Sequence, residues 1–333
     1  MSKEGGLWLD KDTFVSESEV RRRIANHETR IFFERQVKRS KELGTYSEVA
    51  QERSREAEEL SMREENHIGL GVWVGSLISF MGDLHIGHPK TDYKRIEDEI
   101  NVISSTPGSN VVFMGDLVDG YHWGGASQGE DILNLEEQQG FLRSVWRALS
   151  GKILFAVSGE HDSKWASRTG ADPYSSFTDS TGAPYIRGTA EVDVKSGEDT
   201  WKIVAAHKAR GHSMYNKIHP DMRQSRFHVQ GADIYVSAHT HQKAYAQEQI
   251  RSFGGESKEV THISVGSYKG GDEYSQREGY PEQTKGQQGG FLTRLFNRGG
   301  KKHVEVDPDI VEGHKDQYSK TEFTRAGTPK KLW

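Results

Sequence analysis

Apolar runs of strand length, each closed by polar residues, recur through the middle of the chain: Val72–Gly82, Asn110–Gly115, Lys152–Ser158, Trp201–Ala206, Asp233–Ala238 and Val260–Val265. Short continuous apolar runs bounded by turn residues predict strands. Two stretches between them carry a different period. Tyr93, Ile96, Ile100 and Ile103 fall three and four apart, as do Leu142, Val145, Trp146 and Leu149, so Tyr93–Ile103 and Leu135–Leu149 are predicted helices. Strands alternating with helices place residues 67–270 in the α/β class, as one layered core.

The flanks read differently. Residues 1–66 form a charged extension with loose helical spacing over Val15–Leu43, a break at Gly44, and a second predicted helix over Thr45–Ser61 with Ser47 as a candidate N-cap. A solvated helical hairpin that packs on the core or self-associates fits this pattern; a short helix-turn-helix over Tyr46–Leu60 is the alternative. Residues 271–333 open with a Gly-, Gln- and Glu-rich loop. A hairpin of Phe291–Phe296 with His303–Val306 follows, and then a polar tail from Glu312 that has no core-forming pattern.

Composition narrows the function. Hydrophobic residues make up 33% of the 333, and no run approaches the roughly 20 apolar residues of a membrane-spanning helix, so no membrane partner is expected. The first 30 residues lack the charged-then-apolar pattern of an export signal, which makes the cytoplasm the expected compartment. A net charge of −5 opposes non-specific nucleic-acid binding through bulk charge. Locally, however, Arg21-Arg22-Arg23, Arg30, Arg35, Lys38, Arg39 and Lys41 form a basic stretch able to track such a backbone. The absence of cysteine removes disulfides, thiolate metal sites and thiol nucleophiles together.

The chemistry sits where the apolar runs end. Five ends carry residues that bind metals: Asp83 and His85; Asp116 and Asp119; Glu160, His161 and Asp162; His207; and His239 with His241. Loops leaving the carboxyl ends of strands in an open α/β sheet converge on one crevice. Asp83, Asp116 and Glu160 would repel one another there, and a divalent cation reverses that repulsion. Oxygen and imidazole ligands suit manganese, iron or zinc. A one-residue gap lets Asp83 and His85, and likewise His239 and His241, point the same way if the segments are extended.

In this order the five pieces resemble the calcineurin-like metallophosphoesterases, whose pattern is Asp-x-His, Gly-Asp-x-x-Asp, Gly-Asn-His-Asp/Glu, a lone His, and Gly-His-x-His; the match spans about residues 75–270. The resemblance implies two β-sheets packed as a sandwich and flanked by helices, and hydrolysis of a phosphoester by two divalent cations, manganese before iron or zinc. It implies Asp83, His85 and His241 at one cation, Glu160, His207 and His239 at the other, and Asp116 between them. His161 would protonate the leaving oxygen, oriented by Asp162, and Asp119 would hold a ligand or structure its turn. Two positions depart from the pattern: Glu160 stands in place of Asn, and Ala238 in place of Gly. Lys164, Lys208, Arg210 and His212 follow the motifs closely and are candidate contacts for substrate phosphate, with His88, His122 and Trp123 on bordering loops. Gly266–Lys269 is placed to close the pocket from another side.

Protein phosphatases of this superfamily resemble one another in an Arg directly after Gly-Asp-x-x-Asp and a Glu ending the third motif. This chain has Gly120 and Asp162 there, so the expected substrate is a phosphodiester, with DNA or RNA among the candidates. A phosphomonoesterase acting on nucleotides or phosphoproteins is the alternative. A further alternative is a fold that has lost its second cation through Glu160 and serves as a binding or assembly protein through its terminal extensions.

Overall fold

The computed structural model describes residues 6–10, 13–16, 67–72, 76–120, 131–169, 172, 174, 177–211, 213, 215–251, 257–271, 284–323 and 329–331. Two six-stranded mixed sheets form its centre. The first is ordered β14 (Lys301–Asp307), β13 (Phe291–Arg298), β4 (Leu77–Met81), β5 (Ser109–Phe113), β6 (Ile153–Val157) and β7 (Tyr185–Ile186). The second runs β11 (Ala244–Arg251), β12 (Ser257–Ser264), β10 (Ile234–Ser237), β9 (Asp199–Ala206), β8 (Thr189–Ser196) and β3 (His67–Val72). Strands β4 to β7 pair in parallel, as do β9, β10 and β12. This is the expected α/β sandwich, with the carboxyl ends of its parallel strands at one edge.

Alternation along each strand divides the core. Ile78 and Phe80 of β4 and Val112 of β5 face the second sheet, meeting Val192, Trp201, Ile203 and Val236 between the layers. The opposite face, including Met81, Val111 and Phe113, packs under the helices. A bulge interrupts β6: Val111 pairs with Ile153 and Val112 with Phe155, so Leu154 is the extra residue and joins Phe155 in the layer between the sheets.

The outer face of the first sheet is covered by α1 (Tyr93–Ser105) and α2 (Leu135–Ala148). Ile96, Ile100 and Ile103 make the buried stripe of α1, and Asp92 caps it by accepting from the Arg95 N–H. A reciprocal Asn134–Glu137 capping box starts α2, which buries Phe141, Leu142, Val145 and Trp146. Two further helices, α3 (Glu160–Thr169) and α4 (Phe177–Thr181), follow β6. On the second sheet α5 (His219–Phe227) begins with Pro220 at its first turn.

Several expectations change. The run Val72–Gly82 spans two strands of different sheets, since Val72 ends β3 and Leu77 begins β4. The C-terminal hairpin is part of the core: β13 pairs antiparallel with β4 from Phe291↔Phe80 to Arg294↔Leu77, so the 271–333 region is not a separate appendage. The expected polar tail instead starts with α6 (Ile310–Lys320), which buries Ile310 and His314. The tail ends in a short pair of β15 (Thr321–Phe323) with β16 (Pro329–Lys331). Within the expected helical extension, β1 (Gly6–Asp10) and β2 (Thr13–Ser16) pair antiparallel, so Val15 and Ser16 are strand rather than helix. The remaining expectations for that extension, including self-association and the basic stretch, concern residues outside those described. Among the described residues no helix is long and apolar enough to cross a membrane.

Candidate metal centre

Every strand end singled out by sequence reaches the same edge. Asp83 follows β4, Asp116 follows β5, Glu160 opens α3 after β6, His207 follows β9, and His239 and His241 follow β10. Glycine permits the closest of these approaches. A Cβ on Gly159 would lie 2.0 Å from Asp116 Oδ1, and one on Gly115, whose φ is +82°, would lie 2.6 Å from the Gly159 nitrogen. The β5 and β6 ends therefore sit backbone against side chain.

The five non-glycine residues with positive φ among the described residues are Asp83, His85, Asp116, His239 and His241, at +48° to +68°. Left-handed backbone is uncommon for such residues and costs about 1–2 kcal/mol each, so surrounding structure must hold it. This corrects the extended geometry expected of Asp83-x-His85 and His239-x-His241: the side chains converge from left-handed turns. The bracing is visible at Asp83, whose carbonyl accepts from the Tyr268 N–H at 3.0 Å and the Ser267 hydroxyl at 3.0 Å. Segment 266–269 thus braces the Asp83 turn from behind.

Three groupings bring ligand atoms within 4.8 Å of one another: Asp83, His85 and His241; His85, Asp116 and His161; and Asp116, His207 and His239. In the first, His85 Nε2 lies 3.1 Å from His241 Nε2, and Asp83 Oδ1 lies 3.5 Å from the same His241 atom. In the last, His207 Nε2 is 3.0 Å from Asp116 Oδ2. Neither Asp83 Oδ1 nor His207 Nε2 makes a hydrogen bond, although both are buried. The two atoms lie 4.0 Å apart, and because buried polar atoms are nearly always satisfied, the pair fits a cation between them.

The outer ring nitrogens fix the inner ones. His207 Nδ1 donates to the Met114 carbonyl at 2.7 Å, and His85 Nδ1 donates to Asp119 Oδ1 at 2.7 Å, so both Nε2 atoms face inward, and that of His207 would give up its proton to a bound cation. Burial, outweighing the Asp119 carboxylate, pushes His85 down to about 4, so its ring is neutral. At His207 burial acts the same way but Asp116 overrides it, pushing the imidazole up to about 10 in the protein alone. For Asp116, burial opposes ionisation, and the charges of His207 and His161 hold the carboxyl well below its usual range.

Glu160 is placed at the rim. Its Oε1 is 3.8 Å from His239 Nδ1 and 3.5 Å from Lys164 Nζ, one helical turn on, while Oε2 is 3.4 Å from Lys208 Nζ. Burial raises its pKa, and His239 and the two lysines outweigh that and lower it. Glu160 is thus beside the second grouping without belonging to it, and two candidate phosphate contacts are turned onto it. Arg210 is exposed, and His212, His122 and Trp123 lie outside the described residues. His88 is buried, its Nδ1 accepting from the Lys90 N–H at 3.2 Å, which is a loop-forming role.

His161 stands over the site, its ring 4.7 Å from that of His85 and edge to face. Its Nδ1 donates to the Asp119 carbonyl at 2.5 Å, and its backbone N–H donates to Asp116 Oδ1 at 2.8 Å. The orienting partner is therefore Asp119, not Asp162 as expected. Asp162 Oδ2 accepts from the N–H groups of Asp116 and Gly159, and its Oδ1 has no partner. Neighbouring residues on a helix project about 100° apart, so Asp162 cannot face the crevice beside His161.

Sequence reasoning missed the ring behind Asp119. Lys269 Nζ lies 3.3 Å from Asp119 Oδ1. Asp131, raised to about 8 by burial and by Asp119, receives the Gln138 side-chain amide at 3.0 Å. Gln138 is fully buried on α2 and also accepts the Gly120 N–H at 3.0 Å. Its place on the buried face of a capped helix was the only signal, and it does not distinguish a brace from ordinary core.

The chain is similar to Vacuolar Protein Sorting 29 from Cryptosporidium parvum, at 16% identity and TM-score 0.32, over 70% of this chain and 97% of that one. It is similar to a metallophosphoesterase from Sphaerobacter thermophilus at 13% identity and TM-score 0.32, over 73% and 94%. Nuclease MPE from Pseudomonas putida is similar at 10% identity and TM-score 0.31, over 68% and 87%. A search of curated proteins returned no match. The family model for calcineurin-like phosphoesterases matches residues 77–243, half of the chain and all five ligand-bearing strand ends, and the chain belongs to that family.

Proposed function

We propose that this chain is a metal-dependent phosphodiesterase. One observation carries the reading: Asp83 Oδ1 and His207 Nε2 are buried, make no hydrogen bond of proper geometry and stand 4.0 Å apart among the other ligand atoms. Asp83, His85 and His241 would hold one divalent cation; Asp116, His207 and His239 would hold the second, with Glu160 reaching it once it leaves Lys164 and Lys208. Oxygen and imidazole donors suit manganese, iron or zinc, and manganese is taken first on the family resemblance. Divalent cations there would supply charge neutralisation and Lewis acidity to a phosphoester oxygen. The protein's own groups do the rest. His161, with Nδ1 donating to the Asp119 carbonyl, presents Nε2 to the crevice as the proton donor for the leaving oxygen. Lys164 and Lys208, both beside Glu160, together with Arg210 would neutralise the remaining phosphate charge.

A diester is favoured over a phosphoprotein monoester by Gly120. Its φ of +69° is one a side chain rarely adopts, so the Arg found there in protein phosphatases has no unstrained place. The test is hydrolysis of a chromogenic phosphodiester beside the matching monoester, with manganese and then with chelator. Chelator-sensitive cleavage favouring the diester is expected, with about two manganese ions bound per chain. Preference for the monoester would replace the reading. No cleavage by folded protein that binds one ion or none would leave a degenerate site in a binding protein.

A further inference from the structure

The segment from the metal centre through α5 is basic and carries exposed aromatic rings. Between His207 and His228 the chain carries Lys208, Arg210, Lys217, Arg223 and Arg226 against one acid, Asp221, in a protein whose net charge is −5. That acid does not offset them. Asp221 is fully buried, receives the Ser237 hydroxyl at 2.9 Å, and is held well above the usual carboxylate range by burial. Two aromatic side chains stand in solvent among the cations: Tyr215 is 94% exposed and Phe227 72% exposed. These are the two most exposed large hydrophobics among the described residues, and both fall within this basic segment.

The surface is continuous with the site and braced. Lys208 directly follows the candidate ligand His207. Gly211, at φ +109°, brings the loop onto α5, where its carbonyl meets His219 Nδ1 at 2.5 Å and a Cβ would strike Arg223 Cδ at 2.6 Å. Arg223 in turn lies over the Phe227 ring at 5.8 Å. Arg226 is engaged with Glu248 at 3.0 Å, whereas Arg210, Lys217 and Arg223 have no ion pair among the described residues. Cations spaced between exposed rings complement a strand whose phosphates need charge and whose unpaired bases need a face to stack on.

We infer that the surface bearing Lys208, Arg210, Tyr215, Lys217, Arg223 and Phe227 binds single-stranded nucleic acid and feeds it to the metal centre. The inference rests on the phosphodiesterase reading and names its substrate class. Binding is measured without cleavage, so the two fail separately. The full chain in chelator is titrated into a fluorescein-labelled oligothymidylate about 20 nucleotides long and anisotropy is read, with circular dichroism confirming the fold of each variant. Tyr215→Ala/Phe227→Ala is expected to weaken binding by roughly tenfold or more, each lost stack counting. Arg210→Gln/Lys217→Gln should weaken it further and flatten the salt dependence between about 50 and 200 mM. Absence of binding by the wild type, or unchanged binding by both variants, would overturn the inference. So would a duplex bound equally well by wild type and aromatic variant, or displacement by polyglutamate as effective as by unlabelled oligothymidylate.

Discussion

Asp162 Oδ2 receives the backbone N–H of Asp116 at 2.9 Å and that of Gly159 at 2.8 Å, so one buried carboxyl ties the end of β5 to the end of β6. Burial, with Asp116 beside it, pushes this group up to about 7. Asp162→Ala leaves two buried donors unsatisfied and should cost about 2–4 kcal/mol in urea unfolding. Asp162→Asn keeps an acceptor and should cost about 1 kcal/mol. Equal stability of the alanine variant and the wild type would show that the two loops hold themselves.

The His85 ring is set by Asp119, and Lys269 completes that arrangement. Asp119→Asn retains an acceptor but removes the charge that makes His85 a stronger donor to a cation. Metal affinity measured by calorimetry with manganese should fall by about 10- to 100-fold, and the unfolding midpoint of the metal-free protein should also fall, because buried Lys269 loses its charged partner. Unaltered affinity would mean that His85 is oriented by packing alone.

How much of this could be read from the residues depends on how each element meets its surroundings. Strands β4, β5, β6, β9 and β10 announce themselves because their apolar runs are buried on both faces, and the metal-binding residues are their polar stops. Strands β8 and β11 do not, because each alternates buried or half-buried residues with more exposed ones and carries polar side chains throughout. Ile310 gives α6 its anchor, but the polar residues after it mask the helix as a tail. The left-handed turns at Asp83, His85, Asp116, His239 and His241 leave no mark in the sequence, since glycine is the usual residue there and none of these is glycine. Asp162 misleads for a simpler reason: adjacency to His161 in sequence suggests contact, and helical geometry forbids it.

His161→Ala should reduce turnover of a phosphodiester with a poor leaving group by roughly 10²–10⁴, the share usual for general acid catalysis. An activated aryl leaving group needs little protonation and should be cleaved with a much smaller loss. A uniform loss on both substrates would reassign His161 to the grouping it makes with His85 and Asp116, as a ligand instead of a proton donor.

His314 gives a pH dependence separate from the site. The residue is buried between α6 and β5, with Nδ1 donating to the Ile310 carbonyl at 2.7 Å and Nε2 accepting from the Ser109 hydroxyl at 2.7 Å. Both nitrogens are thus satisfied in the neutral ring, and burial pushes the pKa down to about 4. The unfolded chain, with a pKa near 6.5, binds this proton more readily than the folded one. Stability from this residue is therefore complete above pH 6.5 and is lost as pH falls toward 4. The loss by pH 4.5 is about 2–3 kcal/mol. Gln, which has a donor and an acceptor but does not titrate, isolates the effect. Between pH 7 and pH 4.5 the unfolding free energy of His314→Gln should fall by about 2–3 kcal/mol less than that of the wild type. Parallel losses in the two proteins would mean that the ring keeps its proton inside the fold, with the Ser109 hydroxyl turned to accept from it.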